Sequence, residues 1–244
     1  MNALEKNSFT DSLPVFRSAC VAPRAILVVS AHWTTEGTWV TAMEQPRTIH
    51  DFHGFPANLF AINYPAPGSP EIARLIQETV HEPRVQPDST QWGLDHGAWA
   101  LLCRIFPEAE IPVLQLSIDL ALPAEEHFQV GRQLRSLRDQ GVLIIGSGNI
   151  VHNLRTIRWE SNADPYSWAA EFDAWVKERL EARDFDALVY DFLRTEAGRL
   201  SVPTLEHYLP LLYVLGASDS GDALSFPHEG IQNASIAMRS FILG

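Results

Sequence analysis

Four consecutive apolar residues, Ile26-Leu27-Val28-Val29, constrain this chain more than any other feature. Most of them are β-branched and together they offer no polar face, so the run reads as a strand buried on both sides, as inside a parallel sheet covered by helices. Ser30-Ala31-His32-Trp33 follows directly, which places His32 where the strand runs out. In open α/β sheets the ligand crevice lies beyond the carboxyl ends of the strands, so an imidazole there is placed for chemistry. A helix-packing or capping histidine is the plain alternative. The pattern recurs: Val142-Leu143-Ile144-Ile145 runs into Gly146-Ser147-Gly148-Asn149, with His152 beyond it.

Between these two runs the order strand, helix, strand repeats. Residues 43–68 form a long proline-rich, aromatic loop around Ile49-His50-Asp51-Phe52-His53-Gly54-Phe55-Pro56, read as an ordered pocket wall. Ser69-Pro70 reads as N-cap and first helical position, with Ile72, Leu75, Ile76 and Val80 on one helix face. A short apolar helix over 98–106 and a buried strand over 113–118 follow. A long amphipathic helix then opens at Pro123 and is stopped by Gly141. Further helices are expected over 166–180 and 185–192, where Trp168, Phe172 and Trp175 fall at helical spacing and read as packing. Thr204 can cap and Gly216 can terminate a last helix that begins near Pro210, which leaves Glu206 and His207 in an entry turn facing a pocket. Residues 235–243 read as a closing strand. This βαβ organisation predicts an α/β fold, a single domain spanning 1–244 with a mostly parallel central sheet flanked by helices.

Composition narrows the partners. A chain of 244 residues with 46% hydrophobic content can bury a full core. A formal net charge of -12 leaves no basic stripe for nucleic acid or anionic membrane, so a small molecule is the expected ligand. With no apolar run long enough to span a bilayer and no leader-like start, a soluble, cytoplasmic protein is expected. Cys20 and Cys103 are far apart and outside any Cys-x-x-Cys, so any metal must be held by histidine and carboxylate. Of nine histidines, His32, His152 and His207 stand out, with His96 a fourth. His50, His53, His81, His127 and His228 fall in loops or on polar helix faces, where a solvated or structural role is the default. No spacing matches His-Glu-x-x-His or a zinc finger, and no nucleophile elbow or phosphate-binding loop competes. An imidazole site for non-haem iron or zinc, assembled in space from different strand ends, and a purely structural set of histidines are both compatible with these residues.

Seven ordered segments carry a resemblance: Ser30-Ala31-His32-Trp33, Ile49-His50-Asp51-Phe52, Tyr64-Pro65-Ala66-Pro67-Gly68-Ser69-Pro70, Gly93-Leu94-Asp95-His96-Gly97, Gln115-Leu116-Ser117-Ile118-Asp119, residues 146–154, and residues 203–211 containing Pro203-Thr204-Leu205-Glu206-His207. Together they resemble the class III extradiol ring-cleaving dioxygenases, in the 4,5-DOPA dioxygenase extradiol branch, over nearly the whole chain. The resemblance implies the α/β fold of the catalytic, B-type chain of extradiol dioxygenases and one divalent ion per chain, Fe(II) for catalysis with Zn(II) possible in isolated protein. His32 and His207 match metal ligands. His152 matches a position described either as a ligand or as the acid/base histidine, and His96 matches a histidine beside the oxygen site. His50 and Asp51 are the implied substrate-binding residues. In one respect the chain departs from its relatives. Family members begin with a strand ending in His-Gly-Ser-Pro, whose histidine is a ligand, and Met1 falls where the next residue stands. Either the true start lies upstream, which the intact later segments favour, or the strand is lost; the sequence as written is expected to lack one strand and one ligand and to bind metal weakly.

The implied reaction joins a small aromatic diol, L-DOPA for example, with dioxygen, giving a ring-opened semialdehyde. His152 would take a proton from the diol and later return one. A zinc hydrolase on the same scaffold and an inactive, metal-poor binding protein are the alternatives, distinguished by metal and oxygen dependence and by metal content. The sequence leaves the oligomeric state open.

Overall fold

The structure is a computed structural model that describes residues 3–19, 22–160 and 162–244. Cys20 lies outside them; Cys103 is a free thiol. In chain order the elements are α1 (Ser8–Ser12), α2 (Pro14–Ala19), β1 (Ala25–Thr35), β2 (Thr38–Thr41), α3 (Ala57–Phe60), α4 (Pro70–Thr79), β3 (Val85–Asp88), α5 (His96–Ile105), β4 (Val113–Asp119) and α6 (Ala124–Leu134). There follow β5 (Val142–Ser147), α7 (Ser167–Glu181), α8 (Phe185–Tyr190), α9 (Glu196–Ser201), α10 (Leu209–Gly216), β6 (Leu224–His228), β7 (Ile231–Gln232), β8 (Ile236–Ala237) and β9 (Ser240–Leu243).

The apolar run that opens β1 has no polar face because both of its faces are covered. Ala25, Leu27 and Val29 point into a core shared with Ile76 of α4, Val130 of α6, Val176 of α7 and Leu212 of α10. Ile26 and Val28 point the other way, toward Phe9 of α1 and Ala98 and Leu102 of α5. Alternation along a pleated strand thus feeds two separate cores, and every residue of β4 beside it is buried too. The five-stranded sheet has the order β3-β2-β4-β1-β5. β1 runs parallel to β4 from Ile26↔Val113 and parallel to β5 from Ala25↔Val142 to Ser30↔Ser147. The architecture is α/β, mostly parallel and flanked by helices, as the sequence predicts.

Local signals set the helix entries. Ser69 caps α4 by accepting from the Ile72 amide at 3.2 Å, with Pro70 at its first turn. The helix opening near Pro123 is α6, which tightens into a 3-10 turn over Arg135–Gln140 before Gly141. No helix among the described residues is long and apolar enough to cross a membrane.

β2, for which the sequence gives no reading, enters the sheet antiparallel to β4, with Val40 opposite Leu116, because the short turn at Glu36-Gly37 leaves no length for a crossover helix after β1. Two expectations are corrected. The expected closing strand over 235–243 divides into β8 and β9, which pair with β7 and β6 in two small sheets of their own. Arg239, between them, is drawn aside by a bidentate pair with Asp173 of α7 at 2.9 and 2.5 Å. Finally, His127 is not on a polar helix face: it is fully buried on α6 and hydrogen-bonded through Nδ1 to the Tyr213 hydroxyl of α10 at 2.8 Å.

Burial holds His127 near 4, so it folds as the neutral imidazole. The unfolded chain, with an ordinary histidine pKa of roughly 6.5, binds that proton first, so stability falls as pH drops between the two values, by up to about 3 kcal/mol. In urea titrations between pH 7 and 4.5, His127→Gln should lose stability less steeply than the parent. Parallel slopes would show that His127 is not what makes the fold acid-sensitive.

Candidate metal centre

The strand that delivers His32 runs past it, to Thr35. Its pairing nevertheless breaks where the sequence places the strand end: β5 follows β1 only to Ser30↔Ser147, and the β4 register is interrupted between Val29 and Thr34. His32 sits in that interruption, so its side chain projects beyond the regular sheet. Beneath it lies the first turn of α5. Asp95 caps that helix, accepting from the Ala98 amide at 3.1 Å and from Ser30 Oγ of β1 at 2.8 Å through the same oxygen. Its other oxygen accepts from Gln115 Nε2 of β4 at 2.7 Å, while its own amide donates to Gln115 Oε1 at 2.7 Å. Gly97 allows the close approach, since a Cβ there would overlap Ser30 Oγ and press on His32.

His96, the first residue of α5, is held from the loop side by Asp51. One Asp51 oxygen accepts from the His96 amide at 2.8 Å and the other faces His96 Nδ1 at 2.7 Å, while lying 3.6 Å from His32 Nδ1. The His32 and His96 rings are 3.9 Å apart. His50 belongs to the adjoining aromatic wall: its Nε2 is hydrogen-bonded to the Ile62 carbonyl at 3.0 Å, and its ring packs against Phe52, Phe60 and Trp99.

From the other side come His152 and His207. The His152 amide donates to the Ser201 carbonyl at 2.9 Å, and its ring stacks on His207 at 3.5 Å. His207 lies in the entry turn before α10, as predicted, seated over Gly148, where a Cβ would collide with the His207 carbonyl. Glu206 beside it accepts from Thr204 Oγ1 at 2.8 Å. The His32 and His207 rings stand 5.2 Å apart at 88°. Four imidazoles therefore form one continuous row, His96, His32, His207, His152. The donor atoms cluster as two groups, each within 4.8 Å: His32, Asp51 and His96 in one, His152, Glu206 and His207 in the other. The trio singled out from sequence spans both. An apolar groove of about 360 Å³ follows the outer side of β5 and reaches His32, His96 and His207.

Against known proteins, a family model described as the catalytic LigB subunit of aromatic ring-opening dioxygenase matches residues 6–239. The chain belongs to this family. It is similar to the 4,5-DOPA dioxygenase extradiol of Escherichia coli (strain K12), 49% identical over 247 residues that cover 100% of this chain and 91% of that one. The 4,5-DOPA dioxygenase extradiol of Portulaca grandiflora is 43% identical over 81% of this chain and 73% of its own. Among solved structures, an uncharacterized protein from Escherichia coli K12 superposes with a TM-score of 0.85 at 46% identity, covering 98% of this chain and 93% of that chain. As a LigB-family member the chain is a dioxygenase-type oxidoreductase.

LigB-family chemistry is metal-dependent, and the residues present fit a divalent cation. Burial lowers His152 to about 4 and carries His207 well below the usual histidine range; burial and then neighbouring His96 lower His32. Neutral imidazoles are the ligand-competent form. Asp51 is pushed up by burial, but the hydrogen bonds and charge of His96 outweigh this and hold it below the usual carboxylate range. His207 Nδ1 is buried with no hydrogen-bond partner among the described residues. The three carboxylates around the row, Asp51, Asp95 and Glu206, take their hydrogen bonds and ion pairs from amides, hydroxyls and histidine, and among the described residues none from Lys or Arg. A cation at the row relieves both conditions.

Sequence reasoning gave no role to Asp95, Ser30 or Gln115 as supports. Asp one residue before a helix start is a capping signal, and Gln115 inside an otherwise apolar strand signals a buried partner. Asp95→Asn should destabilise the fold by roughly 2–4 kcal/mol, because the new amide has one accepting oxygen and cannot serve all three donors that the carboxylate accepts. An unchanged urea midpoint would show that the network is incidental.

Proposed function

We propose that this protein is a non-haem, metal-dependent extradiol dioxygenase that opens the ring of a catechol such as L-DOPA by 4,5-cleavage to a semialdehyde. The observation that carries the reading is the row of four imidazoles at the carboxyl end of the sheet, flanked by carboxylates without a Lys or Arg partner. The names of the relatives, 4,5-DOPA dioxygenase extradiol, support the substrate. His32 and His207 are assigned as ligands of one ion, Fe(II) in catalysis or Zn(II) in isolated protein, with His152 the third candidate. When bound, the ion supplies redox coupling and oxygen binding that no side chain here provides.

The chain's own groups then divide the remaining work. His152 is neutral at physiological pH because of its burial, so its free imidazole nitrogen can accept a proton from the diol and later return one. Its stacking on His207 fixes the orientation of the ring. Asp51 fixes the Nδ1 proton of His96, which leaves His96 Nε2 as the atom that meets the oxygen side of the cleft. His50 and Asp51 form the substrate wall, His50 as part of an aromatic surface with Phe52 and Phe60 for the catechol ring, Asp51 through its hold on His96. The same cleft is expected to act in the cytoplasm on soluble small molecules.

The test is anaerobic loading with Fe(II), addition of L-DOPA, and admission of oxygen while semialdehyde absorbance is followed. Turnover with Zn(II) and no oxygen requirement would instead indicate hydrolysis. His152→Ala should lower turnover by roughly 10²–10⁴-fold with metal content retained, whereas His32→Ala should lose the ion. Equal metal loss in both would make His152 a ligand.

A further inference from the structure

We propose that Glu206 makes this cleft a charge filter, selecting catechols whose ring substituent is neutral or cationic over those carrying only a carboxylate. This rests on the ring-opening reading above.

Asp51, Asp95 and Glu206 surround the imidazole row, and they are not equivalent. Both oxygens of Asp51 are engaged by His96, and both oxygens of Asp95 accept from Ser30, Gln115 and Ala98. Glu206 differs: Oε1 accepts from Thr204 Oγ1, and Oε2 takes no hydrogen bond among the described residues. Its carboxylate lies within 4.8 Å of the donor atoms of His152 and His207. Arg239 borders the groove, but its guanidinium is committed to Asp173 and Glu229.

One divalent ion balances two of these three negative charges. The remaining one stays at the edge of the row, and Glu206, half-buried beside His207, is the carboxylate with an open oxygen to express it. A substituent carboxylate within roughly 10 Å is repelled there and an ammonium is attracted, by about tenfold in affinity at an intermediate dielectric. Discrimination of this kind works by an unfavourable charge against the wrong ligand as much as by a contact to the right one.

The test compares three catechols with matched side chains: dopamine, 4-ethylcatechol and 3-(3,4-dihydroxyphenyl)propionate. Each is titrated anaerobically into Zn(II)-loaded protein and binding is followed by difference absorbance, so that no turnover is needed. The propionate should bind about tenfold more weakly than 4-ethylcatechol, dopamine at least as tightly, and the spread should shrink at high salt. Glu206→Gln should bring the propionate close to 4-ethylcatechol, while Glu206→Asp keeps the gap. Equal affinities in the parent, or an unchanged gap in Glu206→Gln, would overturn the proposal. So would loss of the metal from Glu206→Gln alone, since the ion would then neutralise that charge. Parallel assays with Fe(II) and oxygen separate the two levels of inference: ring opening of all three at equal kcat/KM removes only the charge filter, whereas ring opening of none removes the dioxygenase reading and the filter with it.

Discussion

The side chain on which the site depends is a fully buried carboxylate, Asp95. It joins three elements that the chain brings together from far apart: Ser30 at the end of β1, Gln115 in β4 and the first turn of α5. An unpaired charge in such a place would be costly, and here every lone-pair direction that matters is met by a donor with good geometry. Because the same residue caps the helix that begins with His96 and ties down the serine two residues before His32, the separation of those two imidazoles is set by hydrogen bonds made below them. The row of imidazoles is therefore positioned by a polar network facing inward.

Above that network the chemistry is governed by a tension between burial and charge. Desolvation drives His152 and His207 toward the neutral form, and the carboxylates nearby act in the opposite sense only on some of them: Glu206 on His152 and His32, Asp51 and Asp95 on His32. Burial prevails, so His32, His207 and His152 are neutral donors set among negative charges. Among the described residues, no Lys or Arg pairs with these carboxylates. An arrangement of this composition is unfavourable by itself and becomes favourable with a cation, which is the electrostatic signature expected where a metal belongs.

Much of this was legible in the residues. A strand without a polar face had to lie inside a covered sheet, Ser69-Pro70 had to open a helix, and Pro210 had to mark where α10 begins, leaving His207 in a turn. Each of those signals is local, which is why each could be read. The convergence of His32, His152 and His207 on one cleft followed from topology, while the finer division into two donor groups depends on rotamers that no spacing encodes. β2 and β3 escaped because four-residue strands, one of them containing Pro87, carry little periodicity. His127 was misplaced for a different reason. Its polarity suggested solvent, yet it lies at i, i+3, i+4, i+7 spacing with Val130, Gly131 and Leu134, and position on the buried stripe outweighed residue type.

The four imidazoles come from positions 32, 96, 152 and 207, so no short contiguous fragment of the chain contains the row. This separates the protein from small zinc modules, in which neighbouring ligands let an ion direct folding from the outset. Here β1, α5, β5 and the turn before α10 must already be in register before the imidazoles meet, so an ion that takes these donors binds late on the folding path. At a hundredfold excess over its dissociation constant, an ion that binds only the native state deepens the native well by about 2.7 kcal/mol. That added stability goes only to chains in which every one of these elements has found its place.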